Sequence, residues 1–584
     1  MPSSEAELTV GVVALDQENP PADAQHFLEN FLQRAANRGV RLVAVPIGFV
    51  PSGVSPYVHF SALAARLQLF LAAGFAENGA VKGALFGPDG TLLGETAQTH
   101  TLPGEKIRPG DSIAPIETAL GKIGLSLQSD LYFPETHWCL VQQGADLLIH
   151  LEGERHPADH FYSVISPKVR ALDLNRPLLI ARPSSRLLKL VHNEEMGISG
   201  TPMAASIIYD QNGAPVAGTG FAQGFAMADL QLSQHCVSIE SSANIPMEKG
   251  NDIWRLYFND SREHHFAALT RPYNPPPRPA CRKRKVRIAV ITHHYGKQLG
   301  KCHEPLLALV EEACREQPDV VLLTEMEQEC RPDSPEMAET LRQLVAMTAK
   351  AGSYLIIGGI RREDETPEER RRGLASRTSH GWVWDRGGKR VFESRIMLYG
   401  RGTGQGYYDT DFGRIAIRLC GDVYSPELSR LFAMQGVEIV FNPSMSWGAS
   451  GLINTELNQA RAMDNGHYVV SAHLAFSDPG QRSHVIDPTG CVVGASRYAC
   501  DAVLLSEIDL DTPHGVFVRS PEPRLPGDNE TYLAQYRSPQ VHRLVPMQEL
   551  LAHHRRPELY QSLTWDLPSS FFIRGNRGDG KAKF

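Results

Sequence analysis

The 584-residue sequence lacks the features that mark several classes of protein. No stretch is long and apolar enough to cross a bilayer, and the first residues lack the basic start and apolar run of a secretory signal. A net charge of −8 gives no general reason to expect a nucleic-acid partner. We therefore expect a cytoplasmic protein that binds neither membrane nor nucleic acid, with a small soluble molecule as its ligand.

The cysteines also exclude two kinds of site. The nine cysteines are odd in number and scattered, and they form no CxxC pair, so neither a disulfide framework nor a Cys-rich zinc site is indicated. The segment THHYGKQLGKCH at 292–303 brings histidines and a cysteine close in sequence, but not at the spacing of a metal site. We expect no metal and no cofactor, and we interpret this segment as a loop lining the substrate site.

One segment occurs twice. GKIGLSLQSDLYFPE at 121–135 and GRIAIRLCGDVYSPE at 413–427 share glycine, isoleucine, leucine, aspartate, proline and glutamate at a constant offset (413 − 121 = 292). Strand patterns at 7–15 and 285–292, each followed by a helical stretch and a second strand, repeat in the same order. The chain is therefore predicted to be a tandem duplication of one α/β domain.

The repeat divides the chain into four parts. The predicted domains are 1–269 and 286–510, joined by a proline-rich, basic linker at 270–285 in which proline removes backbone donors. The remaining segment, 511–584, is a C-terminal extension whose glycine- and lysine-rich last ten residues we expect to be mobile.

The second copy carries a cysteine where the first has Gln128. Strict alternation along GRIAIRLCGD places Cys420 on the same face as Ala416 and Arg418, at a strand end that enters a turn at Gly421. A thiol there is exposed to a cleft, and backbone N–H groups of the turn can face a developing oxyanion. The other interpretation is a small buried hydrophobic side chain, which is the commoner place for a lone cysteine.

A carboxylate follows a second inner strand. DVVLLTEMEQ runs as an apolar strand into Glu325, at the edge where open α/β sheets bind ligands. Glu325 is therefore a candidate general base for the thiol, and a helix-capping or surface carboxylate is the alternative.

Taken together, these segments resemble the nitrilase, or carbon–nitrogen hydrolase, superfamily. The resemblance rests on the strand ending in Glu325, the hairpin at 381–394, the Cys420 strand with its trailing Pro-Glu, RAMDNGHYVV at 461–470 and SHVIDPTG at 483–490. It implies αββα sandwich domains that pair into an αββα–αββα assembly. It also implies a Glu-Lys-Cys triad in which Glu is the base, Lys stabilises the oxyanion and Cys forms a thioester.

Carried over by position, Glu325 and Cys420 match this triad, whereas the segment FESRIML has Arg395 in place of the lysine. In the first copy the three positions hold Ile47, Gln98 and Gln128, which supply no base, cation or nucleophile. The resemblance thus implies a degenerate N-terminal copy that pairs with its active twin as an intramolecular pseudo-twofold dimer. Further homo-oligomerisation stays open.

The leading hypothesis is a cysteine hydrolase of non-peptide carbon–nitrogen bonds, an amidase in the broad sense. Glu325 activates Cys420, and Arg395 with the N–H of Gly421 stabilises the oxyanion. The alternative is a catalytically inactive, nitrilase-like protein that binds a ligand or acts as a scaffold. Nitrile hydrolysis and acyl transfer to another acceptor use the same residues and stay open.

Overall fold

The computed structural model describes residues 7–15, 21–153, 160–184, 206–220, 223–232, 267–293, 299–326, 335–362, 377–395, 406–445, 450–475, 482–497, 500–520 and 541–565. The expected mobile end of the chain lies outside these residues.

The N-terminal half contains two six-stranded sheets. Its strands are β1 (Glu7–Ala14), β2 (Leu42–Val45), β3 (Phe70–Glu77), β4 (Ala80–Phe86), β5 (Leu92–Ala97), β6 (Ile116–Thr118), β7 (Gly121–Leu127), β8 (Leu147–Leu151), β9 (Leu178–Ala181), β10 (Ile207–Tyr209), β11 (Pro215–Gly218) and β12 (Gly224–Gln231). One sheet has the order β12-β1-β2-β3-β4-β5 and the other β11-β10-β9-β8-β7-β6.

The C-terminal half repeats this arrangement. Its strands are β13 (Lys285–Thr292), β14 (Val320–Met326), β15 (Tyr354–Arg362), β16 (Arg377–Trp384), β17 (Arg390–Arg395), β18 (Tyr408–Asp409), β19 (Arg414–Ile417), β20 (Ile439–Pro443), β21 (Tyr468–Ala472), β22 (His484–Ile486), β23 (Val492–Ala495) and β24 (Ala502–Asp509). The sheet orders are β17-β16-β15-β14-β13-β24 and β18-β19-β20-β21-β22-β23, so the predicted duplication is confirmed element by element.

Helices cover the outer faces of the sheets. They are α1 (Pro21–Asn37), α2 (Pro56–Leu67), α3 (Pro134–Gln142) and α4 (His160–Leu174) in the first half, and α5 (Leu299–Arg315), α6 (Pro335–Ala351), α7 (Pro426–Met434) and α8 (Ser450–Asn465) in the second. None of the helices in the described part of the chain is both long and apolar enough to span a membrane.

Alternation along the strands divides the apolar side chains between two layers. In β13, Ile288 and Val290 pack between the two sheets, whereas Ala289 and Ile291 pack under the helices. The inner strands are thus buried on both faces, which explains their nearly continuous apolar sequences. Each half is an αββα sandwich, as the resemblance implied.

The two halves pack with pseudo-twofold symmetry. Arg170 on α4 pairs with Asp464 on α8, and Arg461 on α8 pairs with Asp173 on α4. Both residues of one pair lie 291 positions from their counterparts in the other (461 − 170 = 464 − 173 = 291). Reciprocal contacts of this kind define an isologous interface, here within one chain, and the predicted αββα–αββα assembly is confirmed.

The C-terminal extension packs back onto this assembly. It contains β25 (Gly515–Ser520), β26 (Val541–Pro546) and α9 (Met547–His553), followed by short helical turns. Tyr560 is fully buried, and its hydroxyl lies 2.5 Å from Nε2 of His100 in the first half. Residues 271–284, most of the predicted linker, form neither helix nor strand. The exact domain boundaries stay predictions.

A buried carboxylate joins three parts of the chain. Glu135 on α3 is fully buried, and its Oε1 lies 3.1 Å from Nε of Arg430 on α7 and 2.9 Å from Nε of Arg555 in the extension. Burial alone raises the pKa of Glu135, but the two guanidinium groups outweigh it and hold the pKa at about 2. The ionised carboxylate therefore stabilises the folded state.

We predict that Glu135→Gln lowers the free energy of unfolding at pH 7 by about 3 kcal/mol, since two buried cations lose their counter-charge. The folded-state pKa lies below the ordinary value, so this contribution is present above about pH 4.5 and is lost as the pH falls towards 2. Denaturant unfolding of both proteins between pH 7 and pH 3 measures it. Glu117→Gln, which removes an exposed partner of Lys122, is the control with no measurable change. If Glu135→Gln lowered the free energy of unfolding equally at every pH, the stabilisation could not be assigned to the ionised Glu135 carboxylate.

Candidate active site

The position of Glu325 depends on a β-bulge. On β14, Leu322 pairs with Ile356, but Glu325 pairs with Gly358, so β14 contains one residue more than β15 between these pairs. Ile356 faces the space between the two sheets, and the extra residue turns Glu325 to that same face. Simple alternation would have placed it with Leu323 under the helices. The carboxylate is therefore buried at the carboxyl edge of the sandwich.

A glycine makes room for this arrangement. A Cβ at Gly358 would lie 3.0 Å from the Cα of Glu325 and 2.8 Å from the Cβ of Pro443, at the end of β20 in the opposite sheet. Any side chain here would push apart the two sheets at the point where they meet the candidate site.

The two oxygens of Glu325 have different surroundings. The hydroxyl of Ser379 on β16 donates to Oε1 at 2.5 Å. Oε2 is buried and has no well-aligned hydrogen bond to the described residues. Burial raises the pKa of the carboxyl, while Ser379, the Cys420 thiol and the backbone N–H of Met445 act in the opposite direction. Oε2 is thus the oxygen that has lone pairs available for a proton.

Cys420 begins a turn in an uncommon backbone conformation. Strand β19 ends at Ile417, and a 3₁₀ turn covers Cys420–Tyr424. The φ angle of Cys420 is 38°, a region that non-glycine residues rarely occupy. This turn directs the thiol to Glu325, between the sheets. The expected common face with Ala416 and Arg418 is therefore wrong, since the guanidinium of Arg418 binds buried groups under the sheet, including Asn442.

The thiol is placed among a carboxylate and two donors. The Cys420 residue is half-buried, but its sulfur lies inside the protein. Burial is the main cause that raises the pKa of the thiol, and the negative charge of Glu325 is the second. The backbone N–H of Met445 and the hydroxyl of Ser444 act against this rise. The resting thiol therefore keeps its proton and has an acceptor beside it, with donors ready to stabilise a thiolate.

Ser444 is a site residue that our sequence analysis missed. It is buried and directly follows β20, the neighbour of β19, so both strands end at the same edge of the sheet. The signal was present as a polar residue directly after the strand IVFNP, at the carboxyl edge of the sheet, much as Glu325 lies near the carboxyl end of β14.

Gly421 is the second residue of the 3₁₀ turn Cys420–Tyr424 and is half-buried. Its N–H belongs to the residue that directly follows Cys420 along the chain. Its part in binding an oxyanion stays a prediction.

The structure does not bring Arg395 to this pair. Arg395 pairs with His380 across β16 and β17, whereas Ser379, the neighbour of His380, faces Glu325. Adjacent residues of a strand face opposite sides, so the register puts Arg395 on the outer side, and its side chain is exposed. Among the described residues that shift the pKa of Glu325, none is a cation. Stabilisation of an oxyanion by Arg395 stays a prediction.

The first half keeps the shape of the site without its chemistry. Ile47 packs in the apolar core between the sheets and lies against Gly74, as Glu325 lies against Gly358. Gln128, like Cys420, has a positive φ, which is 45° here. Its side-chain carbonyl accepts a hydrogen bond from the N–H of Gly153 at 2.9 Å. Gly153 is the counterpart of Met445 at the same offset of 292 as in the repeated segment.

Gln98 occupies the third of these positions in the first half and also has a structural role. Its side-chain amide donates to the backbone carbonyl of His100 at 2.7 Å and to Glu105 at 3.0 Å. The three positions therefore hold an apolar side chain and two amides, all engaged in packing or hydrogen bonds.

The histidine-rich segment at 292–303 is only partly described. His293 is buried and its Nδ1 lies 3.2 Å from Asp501, whereas His294 and the side chains of Cys302 and His303 lie outside the described residues. Within the described chain, no group of three His, Cys, Asp or Glu side chains is arranged to hold a metal ion.

Comparisons with known proteins agree with the duplicated architecture. The profile of the family described as Carbon-nitrogen hydrolase matches residues 9–235 and again 287–513. A probable hydrolase, YhcX, from Bacillus subtilis is 41% identical over 18% of this chain, but that match covers only 23% of YhcX. Omega-amidase NIT2 from Danio rerio is 28% identical over 39% of this chain and 89% of its own length.

Among solved structures, Saccharomyces cerevisiae Nit3, a nitrilase superfamily member, aligns with 41% of this chain and 97% of its own chain at 20% identity and a TM-score of 0.33. The two profile matches together cover more than half of the sequence and coincide with the two αββα sandwiches. The chain therefore belongs to the carbon–nitrogen hydrolase family, of which it contains two fused copies.

Proposed function

We propose that this protein is an amidase-type hydrolase that uses Cys420 as its nucleophile and Glu325 as its general base. The observation that carries the proposal is the contact of the thiol with the Glu325 carboxylate, in a site where Ser444 and the Met445 N–H favour a thiolate. The family supports hydrolysis of a carbon–nitrogen bond, and the name of the omega-amidase relative supports an amide as the substrate class.

The reaction follows from this arrangement. Glu325 takes the thiol proton, and the sulfur attacks the amide carbonyl, forming a C–S bond and an oxyanion beside the N–H of Gly421. Glu325 then gives the proton to the leaving nitrogen as the C–N bond breaks, which leaves a thioester and a free amine. Water, deprotonated by Glu325, attacks the thioester, and the departing thiolate regains a proton as the carboxylic acid is released.

An inactive binding protein is the second candidate, and the position of Arg395 favours it. A family lysine would place a compact ammonium at the oxyanion, whereas Arg395 lies on the outer side of its sheet and carries a planar group. Loss of one oxyanion donor costs hydrolases about 3–4 kcal/mol of transition-state stabilisation. The experiments below separate the two candidates.

We predict that Cys420→Ala lowers turnover of a panel of small amides by about 10³-fold or more, because the thioester forms on the Cys420 sulfur and the serine hydroxyls nearby are much weaker nucleophiles than a thiolate. Gln128→Ala, at the equivalent turn of the first half, is the matched control and leaves turnover unchanged. Turnover and intact-mass adducts on Cys420 measure both. Unchanged turnover in Cys420→Ala would exclude this mechanism, and a wild-type protein with neither turnover nor adduct would favour the inactive protein over the amidase.

We predict that kcat/KM rises with pH along an acid limb above pH 4.5, because the base works only when ionised and burial raises the pKa of Glu325. Ser379→Ala removes a hydrogen bond that favours the ionised carboxylate, so the limb moves up by about one pH unit. Ser394→Ala is the control, since its hydroxyl contacts the backbone of Ile417 instead. An unmoved limb in Ser379→Ala would assign the titration to another group.

We predict that Ser444→Ala slows alkylation of Cys420 at neutral pH by about tenfold, since a donor to the thiolate is lost and the pKa of the thiol rises further. The measurement is the iodoacetamide reaction followed at this one cysteine by mass spectrometry between pH 6 and pH 10. Faster or unchanged alkylation, with Ser394→Ala again as the control, would show that Ser444 does not stabilise the thiolate.

A further inference from the structure

The 3₁₀ turn Cys420–Tyr424, which we call the nucleophile turn, is held by an arginine from α8. Nε and Nη2 of Arg461 both donate to the backbone carbonyl of Val423, at 3.1 and 2.8 Å. Val423 lies three residues after Cys420 in the same 3₁₀ turn. The orientation of this carbonyl is therefore tied to one guanidinium group, and the turn also sets the direction of the thiol and of the Gly421 N–H.

The guanidinium group is itself held from the other half of the protein. Nη1 and Nη2 of Arg461 donate to the two carboxylate oxygens of Asp173 on α4, at 2.7 and 2.6 Å. The side chains of Arg461 and Asp173 are 1% and 2% exposed, so solvent screens this bidentate pair little. Three donor nitrogens of Arg461 are thus shared between a carboxylate of the first half and a carbonyl of the nucleophile turn.

An apolar contact supports the same connection. Val169, one turn before Asp173 on α4, packs in a buried cluster with Val423 and Leu457. The first half therefore meets the turn that carries Cys420 both through a side chain of α4 and through the Asp173–Arg461 pair.

The pseudo-twofold symmetry supplies a matched comparison inside the same interface. Arg170 pairs with Asp464 through two bonds of 2.8 and 2.9 Å, and these side chains are 0% and 4% exposed. The two ion pairs have the same chemistry, the same burial and the same two helices. In the Arg170–Asp464 pair the arginine lies in the first half of the chain. In the Arg461–Asp173 pair it lies in the second half, and this arginine is the one that binds the Val423 carbonyl.

We propose that Asp173 is a positioning residue for the nucleophile: through Arg461 it fixes the turn that carries Cys420, so the degenerate half takes part in the activity of its twin. This inference rests on the proposed function, since the turn matters only if Cys420 reacts. Without the Asp173 charge, Arg461 is free to tilt away from the Val423 carbonyl, and the strained turn relaxes.

The experiment compares Asp173→Asn with Asp464→Asn. Each change removes one carboxylate charge from an equivalent buried pair, so both should lower the thermal unfolding midpoint by similar amounts. We expect Asp173→Asn to lower kcat for an amide about tenfold with little change in KM, and to slow alkylation of Cys420 and move its pH midpoint. We expect Asp464→Asn to leave these quantities within about twofold of wild type. The aspartate that matters thus lies in the half without Cys420.

Equal effects of the two variants, or no effect of either, on kcat and on the alkylation profile would overturn the inference. If wild type shows no hydrolysis but the two variants differ in Cys420 alkylation, the positioning of the Cys420 turn by Asp173 stands, whereas the proposed hydrolysis fails. If wild type hydrolyses amides and the two variants behave alike, the proposed function stands and the inference about Asp173 fails. Should an Asn variant not fold, Asp173→Glu and Asp464→Glu keep the charge, displace it by one methylene and give the same comparison.

Discussion

The contact between the Glu325 carboxylate and the Cys420 thiol depends on bringing together the carboxyl ends of strands from two different sheets. Two local departures from regular geometry make it possible: the bulge on β14 turns the carboxylate inward, and the positive φ of Cys420 turns the thiol towards it. Each is unfavourable alone, and the sandwich maintains both because its core is packed on either side. The site is therefore a property of the assembled sheets.

The first half shows that this geometry persists without the chemistry. Gln128 retains the strained φ, and the Gly153 N–H that corresponds to the donor at the thiol binds an amide oxygen instead. Ile47 fills the space of the carboxylate with apolar volume. Replacing a buried charge by a well-packed apolar side chain removes a desolvation penalty without opening a cavity. The first half thus fills the corresponding positions with packed and hydrogen-bonded side chains on the same backbone.

Much of this architecture could be predicted from the sequence, because periodic patterns record local structure. The duplication, the strand patterns and the placement of Glu325 and Cys420 at strand ends all came from such patterns. The faces on which these two side chains lie could not be predicted in this way, since alternation assigns Glu325 to the helix layer and Cys420 to the face of Arg418. The bulge depends on Gly358 of a neighbouring strand, and the φ of Cys420 is imposed against local preference. Ser444 escaped notice because its role arises only when β20 lies beside β19.

The pairing of the two halves has a consequence for how the duplication persists. An interface of apolar residues alone would hold the halves together, but this one also buries two arginine–aspartate pairs in reciprocal positions. Burying ion pairs adds little net stability, yet removing one partner is costly because a charge is left without its counter-ion. Each half therefore depends on the side chains of the other. Fusion into one chain supplies the partner at a high effective concentration, so the pairing no longer depends on protein concentration. The N-terminal copy, which has neither the carboxylate nor the thiol at the corresponding positions, is thus constrained by the residues through which it holds its twin.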